Sequence, residues 1–167
     1  MGRDDLRDIM RTAHDNLVRS GELVPVLLVR GKEPALVAFE DMPRTSDERR
    51  AAFFAVGRRL AHLRPQRVIA VMDAYYKSSD VELPLERSLA DDPATEECIM
   101  VASLDRRGRA RMMVWPYERH PTLEGLEFEF KPVVQLRGKA EVYLLEAFFD
   151  GVAAARRTGV VKESPRS

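Results

Sequence analysis

Glu96-Glu97-Cys98-Ile99-Met100-Val101-Ala102-Ser103-Leu104-Asp105-Arg106-Arg107-Gly108-Arg109-Ala110-Arg111-Met112-Met113-Val114-Trp115-Pro116-Tyr117 is the stretch that decides the fold. Glu96 to Leu104 and Arg109 to Tyr117 read as two strands. Between them Asp105-Arg106-Arg107-Gly108 puts Asp at the first turn position and Gly where a left-handed backbone is needed. With Leu104 opposite Arg109, Ile99 meets Val114 and Val101 meets Met112 on one face. Met100 then meets Met113, and Cys98 meets Trp115, on the other. Both faces are apolar, so the sequence predicts helices on both sides of the sheet, or one side buried by a partner.

Working outward, Arg67 to Tyr76 is a further strand, apolar on both faces from Val68 to Met72 and therefore central. Thr45-Ser46-Asp47-Glu48 is a capping box opening a helix whose Ala52, Phe53, Val56, Leu60 and Leu63 share a face, ending at Arg64-Pro65. Leu23 to Arg30 and Ala35 to Phe39 form a hairpin around Arg30-Gly31-Lys32-Glu33-Pro34. From Asp4 to Ser20, Leu6, Ile9, Met10, Ala13, Leu17 and Val18 make the stripe of an amphipathic helix that Gly21 ends. Toward the C-terminus, Glu127 to Val134 reads as a strand and Gly138 to Arg157 as a helix burying Val142, Leu145, Phe148, Phe149 and Val152. Residues 77–94, rich in Ser, Pro and acids, read as one long loop, and 161–167 as a loose tail.

The expected architecture is α/β in the α+β sense, in the order α-β-β-α-β-β-β-(β)-α. A mainly antiparallel sheet of about five to six strands is sandwiched by three helices in one domain over 1–160. This element order, over residues 4–157, resembles the profilin-like, roadblock or longin-like group, a resemblance that implies a dimerising scaffold rather than an enzyme. Val71-Met72-Asp73-Ala74-Tyr75-Tyr76, the segment Arg87 to Glu97 and the turn Asp105-Arg106-Arg107-Gly108 are similar to a group of uncharacterised bacterial and phage-associated proteins. Tyr75 or Tyr76 stands here where that group carries Trp. That resemblance implies no activity.

Composition removes several chemistries. The 167 residues carry 27 basic and 27 acidic groups, so no broad positive field favours nucleic acid, although 22 of the basic residues are Arg. The single Cys98 excludes an internal disulfide and a cysteine-built zinc site, and a reducing, cytoplasmic setting is expected. The longest apolar run, Leu23 to Val29, is far short of the about 20 residues a membrane helix needs, and the N-terminus has no apolar signal core. No membrane partner is expected. His14, His62 and His120 lack metal-ligand spacing, and no nucleophile elbow, phosphate loop or dinucleotide fingerprint is present. No cofactor or resident metal is expected.

Three sets of residues remain as candidates. Glu129-Phe130-Lys131 is an acid-x-Lys pattern that, with Asp73 and Glu97, would suit a metal-dependent phosphodiester hydrolase; a half-exposed strand alternates in the same way. Asp73, Tyr75 and Lys77 share a face at the end of the central strand, the natural mouth of a pocket if Glu97 or Tyr117 lies alongside; the same pattern arises, and is the favoured reading, if Asp73 caps the following loop and Tyr75 is a rim residue of the core whose hydroxyl reaches water. Arg106, Arg107, Arg109 and Arg111 concentrate guanidinium groups on a hairpin tip that could meet nucleic acid or simply be solvated. With no convergent catalytic set and two apolar sheet faces, the leading expectation is a non-catalytic interaction module, homodimeric or bound to another protein.

Overall fold

Local signals set the helix ends in the computed structural model, which describes residues 4–77, 80–82, 96–136 and 142–158. Helix α1 (Asp4–Ser20) follows the apolar stripe and stops where the Gly21 N–H donates to the Leu17 carbonyl at 2.7 Å. The carboxylate of Asp5 ties its first turn to Arg30 and Arg67, each at 3.3 Å. Helix α2 (Ser46–Arg59) begins at the expected cap: the Thr45 hydroxyl accepts from the Glu48 N–H at 3.1 Å and donates to Glu48 Oε1 at 2.9 Å. Fully buried Arg49 donates to the carbonyls of Pro43 and Arg44, fixing the chain that enters the helix.

Two helix boundaries differ from expectation. The second helix does not run α-helically to Leu63. It gives way to a 3₁₀ turn at Ala61–Leu63, because Arg64 takes φ 52° ahead of Pro65 and the chain tightens to reach it. Helix α3 (Tyr143–Arg157) starts later than Gly138; residues 137–141, like the tail 161–167, lie outside the described residues.

The strands are β1 (Val26–Arg30), β2 (Ala35–Ala38), β3 (Arg67–Lys77), β4 (Asp80–Glu82), β5 (Glu96–Asp105), β6 (Ala110–Thr122), β7 (Gly125–Phe130) and β8 (Val134–Leu136). They pair antiparallel throughout in the order β2-β1-β3-β5-β6-β7, with β4 against β3 and β8 against β6. The fold is thus a mixed α+β one, an antiparallel sheet between helices, as the sequence predicts. The expected 77–94 loop contains β4, a strand of three residues and too short to leave a periodic signal; residues 83–95 lie outside the described ones. The expected 127–134 strand is split into β7 and β8: the Lys131 N–H still bonds the Pro116 carbonyl of β6, but between Tyr117 opposite Phe130 and Val114 opposite Val134 the register slips by one residue, around Pro132.

Strict alternation sends the strand residues to two cores. On one face Ile69, Val71, Ile99, Val101, Met113 and Tyr117 pack under Leu6, Met10, Ala13 and Leu17 of α1. On the other, Val68, Ala70, Met72, Met100, Ala102 and Val114 meet Phe53 and Val56 of α2 and Leu145, Phe148 and Val152 of α3.

The register of the β5–β6 hairpin is one residue away from the expected one. Leu104 faces Ala110, not Arg109; Ile99 faces Trp115, Met100 Val114 and Val101 Met113. The turn is the reason. Gly108 has φ 89° and donates to the Asp105 carbonyl at 2.9 Å, while the Asp105 N–H reaches the Arg109 carbonyl at 3.0 Å. The loop therefore has three residues ending in a glycine bulge, and the reading with four free loop residues fails.

Candidate functional site

With this register, Tyr75 on β3 lies opposite Glu97 on β5, and Glu97 opposite Tyr117 on β6; one step along, Asp73 lies opposite Ile99. The structure thus brings together Asp73, Tyr75, Glu97 and Tyr117 on the α1 face of the sheet. The Lys77 side chain lies outside the described residues.

The organising residue, one that sequence reasoning missed, is Arg119. It follows Tyr117 by two positions and so shares its face. Its Nε donates to Glu97 Oε2 at 2.8 Å, Nη1 to the Gly21 carbonyl at 3.0 Å, and Nη2 to the Tyr117 hydroxyl at 3.3 Å. Its guanidinium also lies 5.6 Å from the Tyr117 ring centroid and 5.4 Å from that of Phe128. A β6 side chain thereby clamps the end of α1 to β5. Partial burial works against the Arg119 charge, but the bonds to Glu97 and Tyr117 outweigh it and raise its pKa. Burial, reinforced by the charges of Asp73 and Glu97, pushes the Tyr117 hydroxyl far up, so it stays a neutral donor and acceptor.

Asp73 is the anomaly. Its Oδ1 is buried and has no hydrogen-bond partner. Burial pushes its carboxyl from 3.8 to about 6; Arg119 opposes the shift from a distance, and Glu97 and Glu22 add to it. The same neighbourhood reaches through the sheet, where burial and then Asp73 raise the Cys98 thiol, leaving it protonated and unreactive. Asp73 and Arg119 line a cleft of about 580 Å³ together with residues 21–25, Phe39 and Glu40.

Glu129 and Lys131 are elsewhere. Glu129 is paired with Glu118, whose side chain leaves β6 on the face opposite Tyr117 and Arg119, and Lys131 binds Glu96 and lies 3.7 Å from Glu118 on that same face. The sheet itself stands between Asp73 and Glu97 on one side and Glu129 and Lys131 on the other. The set read as a phosphodiester-hydrolase centre is therefore not brought together. His120 Nε2 does lie 3.1 Å from Glu129 Oε1 and 3.4 Å from Glu118 Oε2, an exposed trio of possible cation ligands.

The arginine tip is also divided. Asp105 Oδ1 accepts from the backbone N–H groups of Arg107 and Arg109, and Oδ2 from Arg109 Nε. Slight burial resists ionisation of Asp105, but these donors hold its carboxyl below the ordinary range. Arg109 is thus committed to the turn, and Arg111 bends toward the Met113 sulfur at 3.8 Å. Only Arg106 and Arg107 of the four extend with no side-chain partner among the described residues.

A second surface adjoins the cleft. Beside α1, the sheet face over β1 and β2 carries no helix among the described residues, leaving an apolar groove of about 520 Å³ lined by Ile9, Leu23, Val26, Leu28 and Leu36. Leu36 is 63% exposed. Among the described residues no helix is long and apolar enough to cross a membrane. No protein-family model, no curated protein and no solved structure matches the chain.

Proposed function

We propose that the protein is an interaction module that acts as a homodimer joined edge to edge through β2, and that no reaction belongs to it. The observation that carries this reading is the outer edge of β2. Ala35-Leu36-Val37-Ala38 is a strand with no charge, and among the described residues nothing pairs with its outer side. Exposed edges are normally blunted by charge, as β7 is by Glu127 and Glu129. The Phe39 N–H donates to the Pro25 carbonyl, so by alternation the N–H and C=O groups of Leu36 and Ala38 point away from β1, toward a partner strand.

A second copy fits this edge by its charges. In an antiparallel pairing with Leu36 of one copy opposite Leu36 of the other, Lys32 of each falls opposite Glu40 of the other. Pro34, which has no N–H, then supplies only its carbonyl, to Ala38. The pairing is self-complementary, as a two-fold interface must be, and it covers the exposed leucine beside the apolar groove. A cytoplasmic setting agrees with the single, buried Cys98.

Sedimentation velocity at micromolar concentration tests the proposal. A dimer is expected for the native chain, and a folded monomer for Leu36→Lys, which alters an exposed position and should leave the circular dichroism spectrum unchanged. A monomeric native chain, or a Leu36→Lys variant that dimerises undiminished, overturns it.

A further inference from the structure

The cleft beneath the end of α1 has a composition that selects one kind of ligand. Its walls are Leu23, Val24, Pro25 and Phe39, its rim carries Glu22 and Glu40, and Asp73 lies inside with Arg119 beside it. Three carboxylates and one guanidinium line the cleft, and that guanidinium is already paired with Glu97. All three nitrogens of Arg119 are bound to Glu97, Tyr117 and the Gly21 carbonyl, so Arg119 is held beside Asp73 without bonding to it. The field inside the cleft is therefore negative. An anion would meet repulsion, and a neutral donor would leave the negative charge unmatched.

A buried carboxylate oxygen without a hydrogen bond is costly and needs an explanation. Here the buried, unpartnered Oδ1 of Asp73 belongs to a side chain that lines a cavity about 580 Å³ in size, large enough for a small organic molecule. A divalent cation would need about six oxygen ligands or retained waters, which four apolar wall residues do not favour. A donor group on a hydrocarbon chain satisfies both halves of the cleft: its charge and N–H groups meet Asp73, and its chain lies against the apolar walls.

We propose that this cleft binds an organic cation, a primary ammonium or guanidinium group on a short aliphatic chain, with the Asp73 carboxylate as its charge partner and Glu22 at the entrance. The cation is either free or carried as a basic side chain on a peptide. The site shares Glu40 with the proposed dimer but does not depend on it, so Glu22 is the rim residue on which the test rests.

Isothermal titration calorimetry on the full chain at pH 8, where Asp73 is ionised, decides the matter. The probes are agmatine as a free cation and a lysine blocked at both backbone ends as a peptide side chain, against butyrate and butanol. Saturable binding of at least one cation is expected, with butyrate and butanol weaker by about tenfold or more, the scale of one charge-assisted hydrogen bond. Tighter binding of agmatine points to a free amine, and of the blocked lysine to a peptide. Asp73→Asn should weaken the cation about tenfold, and Glu22→Gln by about two- to threefold. No saturable cation binding, butyrate bound as tightly as the cation, or Asp73→Asn with native affinity overturns the proposal. Should Asp73→Asn fail to fold, as judged by circular dichroism, Glu22→Gln with undiminished affinity overturns it, since Glu22 is exposed and outside the core.

Discussion

The two faces of the sheet are covered in different ways. On one, α2 and α3 touch backbone to backbone at Gly57 and Gly151. A Cβ added to Gly57 would lie 1.9 Å from the Phe148 carbonyl oxygen, and one on Gly151 2.0 Å from that of Phe54. On the other, α1 is the one helix among the described residues; it lies over the middle of the sheet and leaves the groove and the cleft open at its flank. The closed face has few degrees of freedom left for binding. The open face holds the unsatisfied carboxylate, the clamped arginine and the exposed leucine. Candidate sites collect where cover is incomplete, because only there can a ligand replace water at a buried polar group.

The sharpest way to break this contrast is to make one small substitution on each side. Gly57→Ala or Gly151→Ala must push α2 and α3 apart, and a loss of about 3 kcal/mol or more in urea unfolding is expected. Thr12→Ala, on the exposed side of α1, should cost no more than about 0.5 kcal/mol. Equal, small effects at both places would mean that the closed face is as plastic as the open one.

Arg119→Met comes next. It leaves Glu97 half-buried without its partner and releases the Gly21 carbonyl, for an expected loss of about 2 kcal/mol in the same measurement. Asp73→Asn should act in the opposite direction. Because the folded-state pKa is raised, the native state holds a proton that the unfolded chain gives up. Asp73 thus favours folding only at low pH, and this contribution is lost as pH rises from 3.8 through about 6. The shift corresponds to at most about 3 kcal/mol, and partial exposure reduces the expected gain from Asp73→Asn to about 1–2 kcal/mol at pH 8, vanishing near pH 4. Thermal melts at the two pH values check it; a gain that is the same at both would remove the burial argument. The smallest effect belongs to the exposed trio on the opposite face, where His120→Ala should change stability by less than about 0.5 kcal/mol.

Much of the fold was legible because it rests on short-range signals. The α1 stripe, the Thr45 cap, the β1–β2 turn and the two-sided apolar strands are each written within a few consecutive residues. The candidate site was legible only in part. Asp73, Tyr75 and Glu97 carry a visible signal, polar residues at the end of an apolar strand. Arg119 is encoded indirectly: it is noticed only when Glu97 is placed across from Tyr117, and the four-residue turn reading places Glu97 across from Pro116, on the wrong face. One glycine at φ 89° thus decides which side chains meet at the far end of the hairpin. The acid-x-Lys pattern misled for a related reason, since a pattern along one strand does not say which face the other acids occupy.

The sequence by itself determined the element order, the helix caps, the two-faced sheet and the absence of long apolar spans, all consequences of backbone periodicity and local hydrogen bonding. Tertiary structure alone decided the register of β5 on β6, the separation of Asp73 and Glu97 from Glu129 and Lys131, and the clamping of α1 by Arg119. These depend on a turn conformation and on which flank of the sheet a helix leaves bare. Both arise from contacts between residues far apart in the chain, which no local pattern records.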